Sequence, residues 1–411
     1  MKTLFSAFIF CASFGTFAAA QKPATYSPTL LGEVTSSLSE SSGLVFHQGA
    51  LWSINDGGNA AILYKLDTVA PYSILQTFVL ESVTNIDWEA LTQNDTHFFI
   101  GDFGNNIGDR KDLKILKIAK SDLNQKSSYP QADTIKNVET IAFEYADQIY
   151  HKFAPQNHNF DCEAFIHYDD SLYLFTKNWK DNHTKVYSLP TEAGKYKAQF
   201  KQKYNIGFTL TDISVDKNHN NLILIGYHGR YGNAFAYTIT GFEGKDFFSG
   251  KHQKFDLPHL TYMSQIEGVA FFNGYSGWII GEDYVRRNFK EKGKLHAFDL
   301  SAYFYNATTD KPNPSLAKKE RIVDFGKKVK KYKKPVDSIF EIQLKNLKVG
   351  LWFIEYFTPE GLFLQEQMVM AKNEKLNIQL PENLKAGEYI IKASTYRETY
   401  LYKITKVEHL Q

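Results

Sequence analysis

The sequence predicts an all-β fold, and three observations support that prediction. A short phrase of polar and apolar residues recurs five times, at intervals of 46 to 74 residues. Each copy is followed by turn residues and a second apolar run. Aromatic residues, which suit pleated and half-buried strands, make up 15% of the chain. A supersecondary unit repeated at such intervals is typical of small sheets arranged around an axis, a β-propeller.

The recurring phrase marks the innermost strand of each predicted unit. Its copies lie at 41–46, 87–92, 161–166, 211–216 and 265–271. The second apolar runs are Leu51–Asp56, His97–Asp102, Leu172–Lys177, Leu222–Tyr227 and Trp278–Asp283. Because a propeller brings corresponding positions of its units together around one axis, we expect the polar residues that flank these runs to meet.

Strands can be assigned to each unit in chain order. The first four units are predicted to contain four strands each: 43–47, 51–55, 62–66 and 73–80; 89–93, 97–101, 113–119 and 135–145; 163–168, 172–176, 185–189 and 197–206; 212–216, 221–227, 234–239 and 252–257. The fifth unit has only 267–272, 277–281 and 294–299. Ser27–Val34 can supply its missing strand and close the ring without an open edge. The prediction is therefore a five-bladed propeller over 21–304; the alternative has six blades, the sixth drawn from 105–160.

The first 20 residues have the pattern of a secretory signal peptide. Lys2 precedes the apolar run Leu4–Phe17, and Ala18–Ala20 offers a small-residue cleavage site. This predicts a secreted or cell-surface protein. Removal of residues 1–20 leaves Cys162 as the single cysteine, so no internal disulfide is expected. No later segment has the pattern of a transmembrane helix.

Composition changes after the predicted propeller. Residues 305–335 are rich in lysine and are predicted to form a basic linker. Residues 336–411 alternate apolar and polar positions, which predicts a small immunoglobulin-like β-sandwich. Its predicted strands are Ser338–Leu344, Gly350–Thr358, Leu362–Ala371, Lys375–Leu380, Gly387–Ser394 and Tyr400–Val407.

The end of the chain carries a recognisable motif. Leu384, Gly387 and Tyr389 are spaced as Leu-x-x-Gly-x-Tyr, and a Lys-rich strand, Tyr402–Lys406, follows. This pattern resembles the C-terminal sorting domain of Bacteroidota proteins that are exported by the type IX secretion system. The resemblance implies that the secretion machinery is a partner of residues 336–411. The alternative is a generic immunoglobulin-like module at the end of the chain.

The predicted propeller also resembles a known group. Leu51–Gly58, Asp87–Leu91 and Ile100–Asn106, together with Arg110, are similar to motifs of secreted bacterial propellers. The nearest named relatives of that group are phytase-like esterase and lactonase propellers. The group itself has no secure activity, so the resemblance implies a fold rather than a reaction.

An acidic residue recurs near the start of the predicted inner strands. Glu89, Glu163, Asp212 and Glu267 are assigned to one equivalent position, with Ser42 as the fifth member. Asp87, Asp161 and Gln265 lie two residues earlier, on the same strand face. Converging carboxylates repel one another unless a cation lies between them, and Ca²⁺ accepts six to eight oxygen ligands. These four acids are therefore predicted metal ligands; alternatively, they bond neighbouring backbone or pair with basic side chains such as Lys177 and Arg110.

The ends of the second strands are predicted to form a ligand-binding mouth. The candidates are Asp56, Asp102, Lys177, Tyr227 and Asp283. The turns Asn55–Gly58 and Gly101–Asn106 contain Gly and Asn, which tolerate positive φ and can bend sharply there. Trp88 and Cys162 are expected to face away from the acids because side chains alternate along a strand.

Catalytic residues are not identified by any motif, but four candidates can be named. Glu89 and Glu163 could act as a base, and His228 and Arg230 follow the second strand of the fourth unit. The chain contains no His-Glu-x-x-His, phosphate-binding Gly-x-x-x-x-Gly-Lys or Gly-x-Ser-x-Gly motif. These absences argue against nucleotide-driven and serine-hydrolase chemistry.

Two functional classes remain after these exclusions. A formal net charge of +2 points to neither nucleic acid nor a strongly acidic partner. One class is a binding module that holds a small molecule, glycan or peptide at the channel mouth, with a divalent cation such as Ca²⁺. The alternative is a calcium-dependent hydrolase of the phytase-like esterase or lactonase kind.

Overall fold

The structure is a computed structural model that describes most of the chain. The described residues are 23–123, 127–149, 151–181, 183–228, 232–286, 289–305, 325, 329–344, 350–371, 375–381, 383–394 and 399–407. The predicted signal peptide, Arg230 and most of the predicted linker lie outside them.

Two short strands open the described chain and complete sheets far away in sequence. They are β1 (Ala24–Thr25) and β2 (Thr29–Glu33). A 3₁₀ turn at Ser36–Leu38 leads into the first unit. The strands of that unit are β3 (Ser41–His47), β4 (Ala50–Asn55), β5 (Ile62–Leu66) and β6 (Ile74–Leu80). They pair antiparallel in chain order from the inside outward.

The second and third units share one eight-stranded sheet. The strands of this sheet are β7 (Trp88–Gln93), β8 (His97–Asp102), β9 (Lys114–Ala119), β11 (Glu139–Tyr145), β12 (Cys162–Tyr168), β13 (Ser171–Thr176), β14 (His183–Pro190) and β15 (Gly194–Asn205). Between β9 and β11 the chain forms β10 (Ala132–Ile135), which belongs to the sheet of the first unit. A 3₁₀ turn, Lys120–Asp122, follows β9. β11 pairs parallel with β15 and joins the two units, whereas β10 pairs parallel with β6 of the first unit. The described strands of 105–160 therefore extend existing sheets.

The fourth and fifth units are each completed by an N-terminal strand. Their elements are β16 (Thr209–Asp216), β17 (Asn221–His228), β18 (Asn233–Thr240), β19 (Lys251–Asp256), α1 (Leu260–Met263), β20 (Gln265–Phe271), β21 (Ser276–Glu282), β22 (Tyr284–Arg286), β23 (Phe289–Glu291), β24 (Lys294–Asp299) and α2 (Ser301–Tyr305). β1 pairs parallel with β19, and β2 pairs antiparallel with β24. A strand from the predicted closing segment Ser27–Val34 thus completes the fifth sheet, as expected.

The innermost strands of these units form a ring. β3 contacts β7, β7 contacts β12, β12 contacts β16, β16 contacts β20, and β20 returns to β3. The fold is all-β and propeller-like. Every inner strand begins at one end of the ring axis and finishes at the other, so each end collects corresponding residues from all of these strands.

The core lies between adjacent units, where their sheets face each other. Between the first and second units, for example, Trp52 and Phe78 pack in one cluster with Trp88 and Phe98. Because both faces of the central strands are covered, β4 is buried at every position. This double coverage explains why the second runs are continuously apolar rather than alternating. Among the described residues, no helix is long and apolar enough to cross a membrane.

The C-terminal strands form two further sheets around a separate core. They are β25 (Lys330–Lys331), β26 (Ile339–Gln343), β27 (Gly350–Phe357), β28 (Phe363–Ala371), β29 (Lys375–Gln379), β30 (Gly387–Ser394) and β31 (Thr399–Lys406). β26 and β29 form one sheet and the other five strands form the second. Trp352 and Ile354 point into this core, whereas Phe353 packs on Phe46 and Phe272 of the ring, with ring centroids 4.8 and 4.6 Å apart. Because side chains alternate along β27, one face of this strand packs in the C-terminal core and the other face packs on the strands of the N-terminal ring.

Candidate functional site

Each inner strand contains a β-bulge near its start. The strand register skips one residue in β3, β7, β12, β16 and β20. The skipped residues are Gly43, Glu89, Glu163, Thr211 and Glu267. A bulge leaves its extra residue unpaired and redirects its side chain. Three of these equivalent positions carry a glutamate, and the three glutamates come together at one end of the ring axis.

The predicted equivalence of Asp212 with Glu89, Glu163 and Glu267 is wrong by one residue. The register places Thr211 at the bulge, and a shift of one residue turns a strand side chain to the opposite face. The Asp212 carboxylate is fully buried, and its Oδ2 accepts a hydrogen bond from the Val269 amide at 2.7 Å. Asp212 thus bonds the neighbouring backbone, as the alternative interpretation expected. In β3, Gly43 rather than Ser42 occupies the position equivalent to Glu89, Glu163 and Glu267.

Three carboxylates form the most compact group at the acidic end. One oxygen each of Asp56, Asp87 and Glu89 lies within 4.8 Å of the other two. Asp56 follows β4, Asp87 precedes β7, and Glu89 is its bulge residue, so two units build the group. Asp56 and Asp87 are half-buried, whereas Glu89 lies beneath them and is buried. The group therefore opens to solvent on one side only.

Two glycines make this close approach possible. A Cβ on Gly104 would lie 2.1 Å from Glu89 Oε1 and 2.4 Å from Asp87 Oδ2. A Cβ on Gly57 would lie 2.4 Å from Asp87 Oδ1. A larger residue at either position would have to push a carboxylate aside. The two turns predicted from their Gly and Asn content therefore leave space in which the carboxylates can lie close together.

Further polar residues surround the three carboxylates. Lys177 Nζ lies 3.0 Å from Glu163 Oε1. The Tyr227 hydroxyl donates to Glu267 Oε1 at 2.9 Å, and Gln265 donates to the same oxygen at 3.0 Å and also to Glu282. We call this whole group the acid mouth: Asp56, Asp87, Glu89, Glu163, Lys177, Tyr227, Gln265, Glu267 and Glu282.

Burial opposes charge throughout the acid mouth. Desolvation, reinforced by the neighbouring carboxylates Asp87 and Glu267, raises the pKa of Asp56 to about 7. Desolvation also raises the pKa of Asp87 to about 6, although Arg110 opposes the shift. Burial and nearby acids hold the pKa of Glu89 well above its usual range. Glu163, Glu267 and Glu282 show raised pKa values for the same primary reason, burial. Each carboxylate would regain its charge if a cation replaced the lost solvation.

Two predicted ligand-binding residues are occupied by structural partners instead. Asp102 is fully buried and pairs with Arg110 Nη2 at 2.9 Å and Lys114 Nζ at 3.0 Å. Asp283 accepts from the Gly293 amide at 2.9 Å. Both predictions are corrected by register. Asp102 pairs with Trp88 one step before the mouth, whereas Glu282, which pairs with Gln265, is the mouth residue of β21.

The candidate His228 lies outside the acid mouth. Its ring packs edge-on against Phe235 at 5.2 Å, and burial together with Lys254 lowers its pKa. It neighbours Tyr227 in β17, so alternation turns it away from the acids. The companion candidate Arg230 falls outside the described residues. Trp88 and Cys162 are buried in inter-unit clusters away from the mouth, as predicted.

Asp161 is held among hydrogen-bond donors beside the mouth. Its Oδ2 accepts from Trp179 Nε1 at 2.7 Å, and its Oδ1 accepts from the Asn105 amide at 2.6 Å. Trp179 is half-buried, and Lys177 Nζ lies 4.7 Å from its ring centroid. Sequence reasoning missed Trp179 because no repeated position contains it. An aromatic face therefore borders the acids at the solvent side.

Comparisons with known proteins give no family for this chain. No protein-family model matches it, and no curated protein matches it. Among solved structures it is similar to Kuenenia stuttgartiensis hydrazine synthase, at 9% identity and a TM-score of 0.31, over 66% of each chain, just under two thirds. An exo-β-1,3-galactanase from Phanerochaete chrysosporium shares 14% identity at a TM-score of 0.38, over 89% of this chain and 94% of that one. A 6-phosphogluconolactonase-like protein from Bacteroides uniformis shares 8% identity at 0.29, over 80% and 85%. At TM-scores below 0.5, these similarities carry no information about activity.

Proposed function

We propose that this chain is an exported five-bladed propeller with a C-terminal immunoglobulin-like sandwich, and that its acid mouth binds Ca²⁺ and, next to it, an external ligand. One observation carries the proposal of a cation. Oxygen atoms of Asp56, Asp87 and Glu89 lie within 4.8 Å of one another at a mouth that is open on one side. Hard carboxylate oxygens in this number suit Ca²⁺, which tolerates irregular geometry and completes its shell with water or ligand oxygens.

The charge balance of the mouth supports the same proposal. Lys177 is the one lysine or arginine side chain within the acid mouth as defined here, facing six carboxyl groups. Burial raises the pKa of these carboxyl groups, and among the six only Glu163 lies within salt-bridge distance of a described basic side chain, Lys177. A divalent cation would replace the missing positive charge. Its open side would then accept oxygen atoms of a small molecule, glycan or peptide beside the Trp179 ring.

Calcium titration of the full mature chain tests the proposal. Calcium should raise the melting temperature, with about 2.7 kcal/mol of stabilisation at a hundredfold excess over the dissociation constant. The double variant Asp87→Asn with Glu89→Gln should lose this response while remaining folded. Glu192→Gln, which changes an exposed acid on a distant turn, is the matched control and should respond as wild type. Identical melting curves in calcium and in chelator for the wild type would overturn the proposal.

A second candidate function is favoured by one contact. Glu163 lies close enough to Glu89 for each carboxyl group to shift the pKa of the other, and Glu163 Oε1 is 3.0 Å from Lys177 Nζ. A carboxylate next to a cation site can act as the base that activates water, which is what a hydrolase needs. When bound, Ca²⁺ would polarise a phosphoryl or carbonyl oxygen. Among this chain's own residues, Lys177 would favour the ionised form of Glu163 as the base, and Glu89 would help to hold the cation.

Glu163→Gln separates the two candidates. Because Glu163 is outside the compact group of Asp56, Asp87 and Glu89, this variant should keep the calcium response in either case. In a hydrolase it should lose turnover of a phosphomonoester or lactone substrate. If wild type shows no turnover in calcium with either substrate class, the binding function stands alone.

Export to the cell surface or the medium is the third part of the proposal. It is supported by the signal-peptide pattern of residues 1–20 and by the Leu384, Gly387 and Tyr389 motif. In the structure Gly387 and Tyr389 belong to β30, which pairs with the Lys-containing β31. Fractionation of the producing cells tests this part, and recovery of the full-length chain in the cytoplasm would contradict it.

A further inference from the structure

The opposite end of the ring axis contains a cavity of about 470 Å³. It is formed by the finishing ends of the same five inner strands. His47, Gln93 and His167 line it, and each lies four residues after the bulge of its strand. Cavities of this size commonly hold small molecules. The acid mouth lies where these strands begin and the cavity lies where they end, so the two sites are separate.

Lys120 brings one positive charge to the cavity. It lies in the 3₁₀ turn after β9, and its Nζ donates to the Asn94 carbonyl oxygen at 2.6 Å and to Gln93 Oε1 at 2.8 Å. His47 Nδ1 lies 3.4 Å from the same ammonium group. These contacts are to neutral groups. These contacts fix the position of the ammonium group, but because the three partners are neutral they do not neutralise its charge.

Lys217 brings a second positive charge at the rim. Its Nζ lies 2.9 Å from His167 Nδ1. Since an ammonium group can only donate, Nδ1 is the acceptor, and the proton of the neutral imidazole is on Nε2. The His167 ring is held flat against Phe99, with planes 5° apart. Each lysine is thus paired with an imidazole that keeps one N–H donor.

The charged groups around the cavity leave it basic. Desolvation and Lys217 lower the pKa of Lys120 to about 8, although Asp95 opposes the shift. Desolvation, then Lys120 and Lys65, lower the pKa of His47 to about 4. Desolvation and Lys217 lower that of His167 to about 4, against the opposing charges of Asp95, Asp169 and Asp170. Asp95 is the acid that lines the cavity, and it is exposed.

Other side chains also line the cavity. Leu91, Ile166, Ile213 and Ala270 contribute apolar surface, and Thr92, Ser214 and Asn218 contribute polar groups. We call the cavity with His47, Gln93, Lys120, His167 and Lys217 the basic mouth. It combines apolar and polar side chains with two ammonium groups and two imidazoles, which is the chemistry that recognises an oxyanion carried on a partly apolar molecule.

We propose that the basic mouth is a second binding site, and that it takes a small molecule bearing a phosphate monoester. Two ammonium groups on one cavity favour a doubly charged phosphate over a singly charged carboxylate. A bound dianion would also relieve the repulsion between Lys120 and Lys217. The site is independent of the cation proposed for the acid mouth.

The proposal is tested by isothermal titration calorimetry of the full mature chain with phenyl phosphate. The buffer contains a chelator, so that no divalent cation is bound at the acid mouth. Binding is expected, and it should weaken as salt is added because a charged pair is screened. Lys217→Gln should weaken it about tenfold, the loss expected for one charge-assisted hydrogen bond. Lys217 is exposed, so this variant should fold normally. Lys120→Gln should have a similar effect, and Lys251→Gln, an exposed lysine of β19, is the matched control with an unchanged Kd.

Other probes decide the ligand class and the location. Benzoate should bind more weakly than phenyl phosphate, and benzyl alcohol should give no heat. Asp87→Asn with Glu89→Gln, which disables the acid mouth, should leave the Kd for phenyl phosphate unchanged. Benzoate binding as tight as phenyl phosphate would overturn the phosphate assignment. Absence of binding to wild type, or an unchanged Kd in Lys217→Gln, would overturn the site.

Discussion

The two ends of the ring are built from the same five strands but collect opposite charge. The acid mouth gathers bulge residues such as Glu89 and Glu163. The basic mouth gathers His47 and His167 four residues later, with Lys120 and Lys217 from adjoining segments. At both ends burial disfavours the charged form, raising carboxyl pKa values at one and lowering imidazole and ammonium pKa values at the other. A bound ion of opposite charge would therefore favour the charged forms at either end.

The ends differ in the space that they leave. At the acid mouth, Gly57 and Gly104 let carboxylates approach each other and the surrounding backbone closely. At the basic mouth about 470 Å³ stays open between the lysines. The proposed ligands differ accordingly. We propose a single ion for the closely packed oxygens of the acid mouth and a small molecule for the open cavity of the basic mouth.

The largest expected effect concerns the wall behind the acid mouth. Asp102→Ala should lower the free energy of unfolding by about 3–5 kcal/mol, because it leaves Arg110 and Lys114 without their shared buried partner. Chemical denaturation measures the loss. Asp112→Ala removes an exposed partner of Arg110 and is the control, with an effect below about 1 kcal/mol. Equal losses for both variants would mean that Asp102 contributes no more than a surface pair.

The closing strand supports both ends at once. Deleting 27–34 should cost about 2–4 kcal/mol, since β2 contributes one ladder of backbone hydrogen bonds to β24 but only exposed or half-buried side chains. Calcium and phenyl phosphate responses should then weaken together, because the fifth unit borders both mouths. If one response survived unchanged while the other disappeared, the two ends would not depend on a common ring.

The acid mouth should lose stability as pH rises when calcium is absent. Folding raises the pKa of Asp56 from 3.8 to about 7, so the folded state holds a proton that the unfolded state has released. Its stabilisation is complete below pH 3.8 and is lost as pH rises through 7. Asp56→Asn should make this slope shallower in chelator, because the other acids of the mouth still titrate, and should gain about 1–2 kcal/mol at pH 8 after allowance for solvent screening. A slope identical to wild type would show that Asp56 does not titrate across folding.

The basic mouth should show the opposite slope and a smaller effect. Folding lowers the pKa of His47 and His167 from 6.5 to about 4, so the folded state holds fewer protons between these values. Their contribution is complete above pH 6.5 and is lost as pH falls towards 4. Replacing both with Gln should flatten that loss, by roughly 1 kcal/mol for each imidazole after screening. Melting curves at pH 4.5 and 7, compared with wild type, measure the difference, and an unchanged difference would contradict the prediction.

Much of the architecture could be predicted from the chain alone. The repeated phrase marked β3, β7, β12, β16 and β20, and the continuous apolar second runs marked strands covered on both faces. The missing strand of the fifth unit indicated that β2 would return to β24. These features are local or periodic, so the pattern of apolar and polar residues along the chain is sufficient to predict them. For the same reason Glu89, Glu163, Lys177 and Tyr227 could be named before their contacts were known.

Tertiary structure alone decided which side chains share a site. A bulge shifts the strand register by one residue, which is enough to change which of two adjacent side chains faces the acid mouth. In this way the register puts Thr211 rather than Asp212 at the bulge of β16, and Glu282 rather than Asp283 opposite Gln265. Lys120 and Lys217 occupy no repeated position, yet folding places them on one cavity with His47 and His167. Residue order determined the strands because strand formation depends on neighbours along the chain. It could not determine the two mouths, because their charges meet only where separate strands end around a common axis.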